Sequence, residues 1–308
     1  MYLPYLRGRQ YELIGLREMV DKGLLSKNII PIIEPVKLSS TLINTIEAYK
    51  NAKRCIAIIT NPMVGEFEKE YHEEKNKKLL EDFKSVLKEN DHLVYIRILK
   101  KDDKKIDSFI EKHENKMGTV CISADSVRVY EDYFSSKESK YNLMPDESTY
   151  RRKVKHNKVL LAERFNKQKR NEDYMKIDDE PFSEDHLYYK EDGYIGFSDY
   201  SIVGKEYVDT GFAPYAVAIH MVYYDNNESL RIKHFVSDTN DDISDIAGKF
   251  SEALEKLVKW NKEVKMNTYA VNEFEDLYNR QSYPGLGTVK KLSIMHHLEL
   301  VGQYLDRN

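Results

Sequence analysis

The sequence is poor in the residues that staple a small fold or hold a zinc ion. It has two cysteines, Cys55 and Cys121, among 308 residues, and they lack the paired spacing of a metal site. Both lie inside apolar runs, which predicts buried free thiols in a reducing compartment. We therefore expect a cytoplasmic protein that is stabilised by packing, because a chain of this length buries a large core without covalent cross-links.

Long hydrophobic runs and a targeting segment are also missing. No apolar stretch approaches the roughly 20 residues that a membrane-spanning helix needs. The first ten residues show no basic leader followed by an apolar region, so we expect no signal peptide. These two absences predict a chain that does not enter a membrane.

Neither sign of charge dominates. The chain has 48 Lys and Arg against 52 Asp and Glu, a formal net charge of −4, which disfavours a protein that coats nucleic acid with its whole surface. Walker loops, serine nucleophile elbows and His-Glu-x-x-His zinc sites are absent as well. The function must therefore be sought in the architecture and in the polar residues that it would bring together.

Eight short apolar runs alternate with longer amphipathic stretches. This alternation is typical of parallel strands joined by crossover helices, and the continuous apolar character suits strands that are buried on both faces. We predict an α/β fold of the (β/α)8 TIM-barrel type. A doubly wound open sheet is the second choice, since no glycine-rich phosphate loop follows the first run. The predicted strands are residues 2–6, 29–33, 55–60, 93–96, 119–123, 158–162, 194–197 and 216–222.

The predicted single barrel-like domain, residues 1–308, carries three additions: a charged excursion (163–193), a β-hairpin (223–236) and C-terminal helices (240–308). The block 151–171 is basic and the stretch after it is acidic. We favour mutual neutralisation in a folded segment over the barrel mouth, although the basic block could instead contact nucleic-acid phosphates. The predicted packing anchors are Phe165, Tyr174, Phe182, Tyr188 and Tyr189.

Polar residues at or just after the apolar runs form the predicted site, because the carboxyl ends of all barrel strands meet in one cup. The predicted catalytic acids or bases are Glu34, Glu163 and Asp199. Asp125 is a predicted metal ligand, and oxygen ligands of this kind would favour Mg²⁺, Mn²⁺ or Ca²⁺. The predicted ligand-binding residues are Arg7, Arg9, Lys37, Asn61, Arg97, Arg164, Tyr200 and His220.

The same residue types allow two other interpretations. Arginines and carboxylates at a barrel mouth also form salt-bridge networks whose only role is structural. A lone histidine such as His220, inside an apolar run, is more often a hydrogen-bonded core residue than a base or a ligand. Both alternatives stay open at this point.

Six motifs resemble an uncharacterised bacterial group known as the beta protein family. The most distinctive is Tyr-Leu-Pro-Tyr-Leu-Arg-Gly-Arg-Gln-Tyr-Glu-Leu, at residues 2–13, and the resemblance extends over the whole chain. It implies a role in bacterial genome defence beside a small companion protein that resembles a nuclease. It implies no catalytic residues. The other motifs lie at residues 31–37, 61–65, 163–165, 196–200 and 284–288.

The leading hypothesis is a barrel that acts on or binds a phosphorylated or otherwise anionic ligand, with a divalent cation such as Mg²⁺ or Mn²⁺ as a candidate cofactor. Arginines would hold the anion, and the reaction would be a hydrolysis of the phosphoester type. The alternative is a non-catalytic interaction or sensor protein that works with the companion. Its 23 tyrosines suit a ligand cup or a protein interface, including a homo-oligomer.

Overall fold

A computed structural model describes residues 1–137, 139–208 and 214–308 of the chain. It confirms the mixed α/β architecture and the (β/α)8 barrel, with a hairpin and helices at the C-terminal end. The strands of the described part are β1 (Tyr5–Leu6), β2 (Ile32–Ile33), β3 (Ile56–Ile59), β4 (Leu93–Ile98), β5 (Met117–Val120), β6 (Asn142–Met144), β7 (Lys158–Ala162), β8 (Asp179–Ser183), β9 (Gly196–Asp199), β10 (Ala218–Tyr224) and β11 (Leu230–Val236).

Helices follow most barrel strands, and side-chain caps help to start several of them. Ser39 accepts a hydrogen bond from the Leu42 amide at the start of the second helix, as its sequence predicts. The α-helices are α1 (Gln10–Asp21), α2 (Ser40–Asn51), α3 (Phe67–Tyr71), α4 (Lys77–Lys88), α5 (Ile106–His113), α6 (Ala124–Tyr133), α7 (Ser148–Lys153), α8 (Asp185–Tyr188), α9 (Ile246–Val264), α10 (Tyr269–Asn279) and α11 (Leu286–Arg307).

The barrel consists of eight parallel strands in the order β1-β2-β3-β4-β5-β6-β7-β9. It is closed by the residues that precede β1, because Tyr2 forms a parallel bridge with Phe197 of β9. The Leu3 amide donates to the Phe197 carbonyl over 2.8 Å, and the Phe197 amide donates to the Met1 carbonyl over 3.1 Å. The first and last strands of the barrel therefore meet at its N-terminal end.

Side chains that alternate along the strands fill the barrel interior. Strands β1 to β7 each contribute at least one apolar side chain to this inner cluster, and Tyr200, which directly follows β9, joins Tyr5 in it. The opposite faces of the same strands pack against the helices in a second, larger cluster. The two-residue period of a strand thus decides which polar side chains reach the mouth and which reach the helix layer.

One barrel strand was missed, so the predicted sixth, seventh and eighth strands were assigned wrongly. The sixth barrel strand is β6, which the apolar pattern did not reveal, so the eighth is Gly196–Asp199. The run 216–222, predicted as the eighth barrel strand, instead forms β10 and pairs antiparallel with β11. The connection between β3 and β4 contains two helices, α3 and α4, with a short 3₁₀ turn between them.

The charged excursion supplies the third strand of a separate antiparallel sheet, whose order is β10-β11-β8. This sheet packs against α9 and α11 beside the barrel. Of the predicted anchors, Tyr188 is exposed, whereas the other four are buried: Phe165, Tyr174, Phe182 and Tyr189.

Cys121 is buried as predicted, but Cys55 is exposed, and both are free thiols. Within residues 1–137, 139–208 and 214–308, every helix is too short or too polar to cross a lipid bilayer.

Candidate functional site: the barrel mouth

Glu34 lies at the end of β2 on the floor of the mouth and is fully buried. Its carboxylate accepts hydrogen bonds from the Tyr5 hydroxyl over 2.7 Å and from the Met63 amide over 2.6 Å. It also forms an ion pair with Arg7. A buried carboxylate is costly unless it is paired and hydrogen-bonded in this way. Its main contribution here is therefore to hold Arg7 in place.

Arg7 points into the mouth between two aromatic rings. Its guanidinium carbon lies 5.2 Å from the centre of the Tyr5 ring and 5.4 Å from that of Tyr200. One terminal nitrogen donates to the Lys205 carbonyl over 2.5 Å, while Nε is buried and has no hydrogen-bond partner among the described residues. The Tyr200 hydroxyl, whose pKa burial raises to about 12, is a neutral donor in this layer.

A cavity of about 430 Å³ opens beside this floor, lined by the segment that follows β7 and by Lys205. Glu163 lies at its exposed rim, where Oε2 accepts from the Lys205 amide over 2.6 Å. Partial desolvation raises the pKa of Glu163, against the opposing effects of that amide and of the Lys205 and Arg7 charges. Desolvation therefore makes the protonated form of this carboxyl more favourable than in a free glutamate.

Further cations surround the rim where α1 and α11 begin. Arg9 donates to the Val208 carbonyl over 2.5 Å and lies over the Tyr207 ring. The pKa of Lys290 is lowered first by desolvation and then by the positive charges of Arg9 and Lys167, against the opposing charge of Glu12. The positive charges of Arg9, Lys167 and Lys290 therefore act on one another at this side of the mouth.

Three residues predicted for the mouth have hydrogen-bond partners outside it. Arg97 binds Asp103 through two nitrogens, over 2.6 and 2.5 Å, beside the helix layer. Arg164 binds Asp185 in the same bidentate manner, over 2.8 and 2.5 Å. Asp199 is the third. The predicted gathering of all strand-end residues in one cup is therefore wrong for Arg97 and Asp199, because their side chains have the other parity along the strand. Arg164 is held by Asp185 but still lines the cavity beside the mouth.

Asp199 belongs to a buried network between the barrel wall and α11. Its Oδ1 accepts from the Tyr2 hydroxyl and from the Ser201 amide, both over 2.7 Å. The Ser201 hydroxyl continues the network to Nδ1 of His297 over 2.9 Å. Burial raises the pKa of Asp199 to about 7, and these hydrogen bonds only partly oppose that effect.

His220 lies on β10 and so outside the barrel, contrary to its predicted position at the end of an eighth barrel strand. Its Nδ1 is 2.8 Å from Nδ1 of His234, whose Nε2 is 3.2 Å from Glu180. Desolvation, followed by the charges of His234 and Lys290, lowers the pKa of His220 well below its usual value. This histidine is thus held neutral within the second sheet.

Of the remaining predicted residues, one has a buried structural role and two lie on the surface. Asn61 is buried and bonds both the amide and the carbonyl of Ile98 over 2.9 Å, so it ties β3 to β4. Lys37 is exposed. Asp125 is exposed at the start of α6 and lines a different surface cleft. In the described part of the chain, no three His, Cys, Asp or Glu side chains gather as ligands for a metal ion.

Sequence reasoning missed Tyr5, Lys205 and Lys290, which the fold brings to the mouth. Tyr5 could have been found, because it lies two residues before Arg7 and therefore on the same strand face. Lys205 and Lys290 had no such signal, since a loop and the start of a helix deliver them.

The fold defines the class of the molecule: a (β/α)8-barrel protein with a second, antiparallel sheet. No protein-family model, curated protein or solved structure matches the chain. The resemblance to the beta protein family stays a prediction.

Proposed function

We propose that the protein binds a small anionic ligand of the phosphate-ester class at the barrel mouth and hydrolyses it. The observation that carries the proposal is the convergence of cationic side chains on one rim: Arg7, Arg9, Lys167, Lys205 and Lys290.

The carboxylates nearby do not cancel this charge completely. Glu34 pairs with Arg7 and Glu206 pairs with Lys167, so two of the five positive charges are offset. Burial raises the pKa of Glu12, which weakens its negative charge. Arginine and lysine at a partly desolvated rim bind phosphate oxygens through charge-assisted hydrogen bonds. The cavity of about 430 Å³ is within the range of small-molecule sites.

Glu163 is the proposed proton-transfer group. In hydrolysis, a water oxygen would bond to phosphorus while the bond to the leaving oxygen breaks, and Glu163 would give its proton to the leaving oxygen. The attacking water would release a proton to solvent, and Glu163 would regain one from solvent before the next turnover. The rim cations would stabilise the charge on the phosphoryl oxygens. A divalent cation brought in by the substrate would add to the same effect.

A cytoplasmic location and a role in bacterial genome defence belong to this proposal. The two free thiols support the first, and the motif resemblance supports the second.

The test is thermal unfolding with inorganic phosphate, sugar phosphates and nucleoside monophosphates, each with and without Mg²⁺ and Mn²⁺. A ligand at about 100 times its Kd should stabilise the fold by roughly 2.7 kcal/mol. Lys205→Met should remove the shift, whereas Lys101→Met, an exposed lysine away from the mouth, should keep it. Glu163→Gln should keep binding and abolish phosphate release.

Absence of any shift across this panel would contradict the proposal and favour the non-catalytic interaction protein. Binding with unchanged phosphate release in Glu163→Gln would leave an anion-binding site and reject Glu163 as the proton donor.

A further inference from the structure

A second cavity, of about 870 Å³, lies in the wall of the barrel and shares no lining residue with the mouth. It separates α3 and α4 from α5, so the outer faces of β3 and β4 border an open cleft at this point. Tyr95 of β4 is accordingly only half-buried. The volume of this cavity is in the range of pockets that bind drug-sized molecules.

The lining of this wall cleft is rich in rings. The Tyr95 and His113 rings stack with their centres 3.8 Å apart at 25°, and Phe67 packs edge-on against Phe83 at 5.5 Å. Burial, together with the charges of Lys112 and Arg97, lowers the pKa of His113 to about 4, so its ring is neutral at pH 7. Flat, uncharged rings of this kind offer stacking surfaces to a planar aromatic group.

The edge of the cleft is basic. Five lysines and three glutamates line it, which leaves a net positive charge. Lys84 lies over the Tyr71 ring and Lys116 pairs with Asp91. In the described residues no ion pair involves the other three, which are Lys88, Lys105 and Lys112.

We propose that the wall cleft is a second binding site, for a planar aromatic anion. The ring system would lie among Tyr71, Tyr95 and His113, and the anionic group would reach the lysines at the edge. This chemistry is shared by nucleotides and by aryl carboxylates. The site is independent of the proposed hydrolysis, since no residue of the mouth contributes to it.

The test uses 8-anilinonaphthalene-1-sulfonate, an anion with a planar naphthalene ring system whose fluorescence rises on binding. The folded protein should bind it saturably. Lys88→Glu combined with Lys112→Glu should weaken binding about tenfold, because four units of charge change beside the sulfonate. The matched control, Lys78→Glu with Lys137→Glu, makes the same change at exposed positions outside the cleft and should stay within twofold.

A second variant tests the shape of the site. Leu87→Trp places a larger side chain in the cleft without changing any charge, and it should reduce dye binding while near-ultraviolet circular dichroism shows the native fold. Equal binding by the wild-type protein and the cleft variants, or no binding by the wild type, would overturn the proposal.

Competition then identifies the source of the anion. Displacement of the dye by adenosine monophosphate would support a nucleotide, and displacement by 2-naphthoate an aryl carboxylate. Displacement by neither would reduce the result to a dye contact and overturn the assignment to this ligand class.

Discussion

Glu34 and Asp199 are both buried carboxylates at strand ends, but only Glu34 forms an ion pair in the described structure. Both had the same sequence signal, a carboxylate just after an apolar run. The difference follows from the direction of each side chain: Glu34 points into the barrel toward Arg7, and Asp199 points out toward Tyr2. A mutation at either position therefore reports on a different part of the molecule.

Asp199 gives a pH prediction at this scale. Its pKa is about 7 in the folded state against about 3.9 in an unfolded chain, so folding binds a proton between these values. Its contribution to the free energy of unfolding is present below about pH 4 and is lost as pH rises toward 7, by about 4 kcal/mol in total. Asp199→Asn, which keeps both hydrogen-bond acceptor contacts, should abolish that loss.

Urea unfolding of both proteins at pH 5, 6 and 7 checks this prediction. The difference in unfolding free energy should shift in favour of the variant as pH rises. The exposed Asp125→Asn is the control and should follow the wild type. A constant difference between wild type and Asp199→Asn would show that Asp199 is ionised throughout.

At the scale of the element, the closure of the barrel brings Gly196 of β9 close to Met1 and Leu3. A Cβ added to Gly196 would lie 2.9 Å from both Leu3 Cδ1 and the Met1 carbonyl oxygen. Gly196→Ala should therefore destabilise the fold by about 1–3 kcal/mol through overpacking. The amides of Leu3 and Phe197, which bond across the closure, should also exchange hydrogen faster.

Gly23→Ala provides the comparison. Gly23 has a φ of +68° and no atom within 4 Å of an added Cβ, so the change costs only the strain of a left-handed residue, about 1–2 kcal/mol. It should leave exchange at Leu3 and Phe197 unchanged. Equal exchange in both variants would argue against this closure.

The charged excursion, residues 163–193, has a structural role, because it supplies a strand of the second sheet. A deletion of 167–192 looks harmless from sequence, as the loss of a polar loop. The structure places β8 within it, and β8 pairs with β11 from Leu230 to Lys233. The same deletion would expose the edge of β11 and disturb the second sheet. Loss of partner binding in such a variant would therefore not show that residues 167–192 contact the partner.

For the whole molecule, buried histidines set the response to acid. Burial lowers the pKa of His297 to about 3 and that of His296 to about 4, and the values of His186, His220 and His234 fall as well. An unfolded histidine titrates near 6.5, so the unfolded chain binds more protons below that pH. These five histidines lower the stability of the fold as pH falls, whereas Asp199 raises it. Because the histidines outnumber Asp199, their effect on the free energy of unfolding should dominate.

We therefore expect the free energy of unfolding to fall steeply as pH decreases from 6.5 to about 4. His297→Asn should reduce the number of protons taken up on unfolding by about one, which makes the slope of stability against pH shallower. His72→Gln, at an exposed position, should leave that slope unchanged. Urea unfolding at half-unit pH intervals gives the slope. Stability that is flat or rising toward pH 5 would contradict the assignment of neutral histidines.

The sequence by itself determined the barrel class, the hairpin, the C-terminal helices and the presence of Arg7, Glu34 and Glu163 at one end. Apolar runs with helical stretches between them are a local signal, and local signals survive in sequence. It did not reveal β6, because a three-residue strand that begins with Asn142 has no apolar run of useful length.

Only the tertiary structure decided which strand ends share the mouth, because strand register fixes side-chain parity and a shift of one residue reverses it. In the folded chain, Arg97 and Asp199 lie in the outer layer, Arg164 pairs with Asp185 beside the cavity, and His220 lies in a separate sheet. The fold also brought Lys205 and Lys290 to the mouth from a loop and from α11. Packing between distant parts of the chain sets these positions, and no local sequence pattern predicts them.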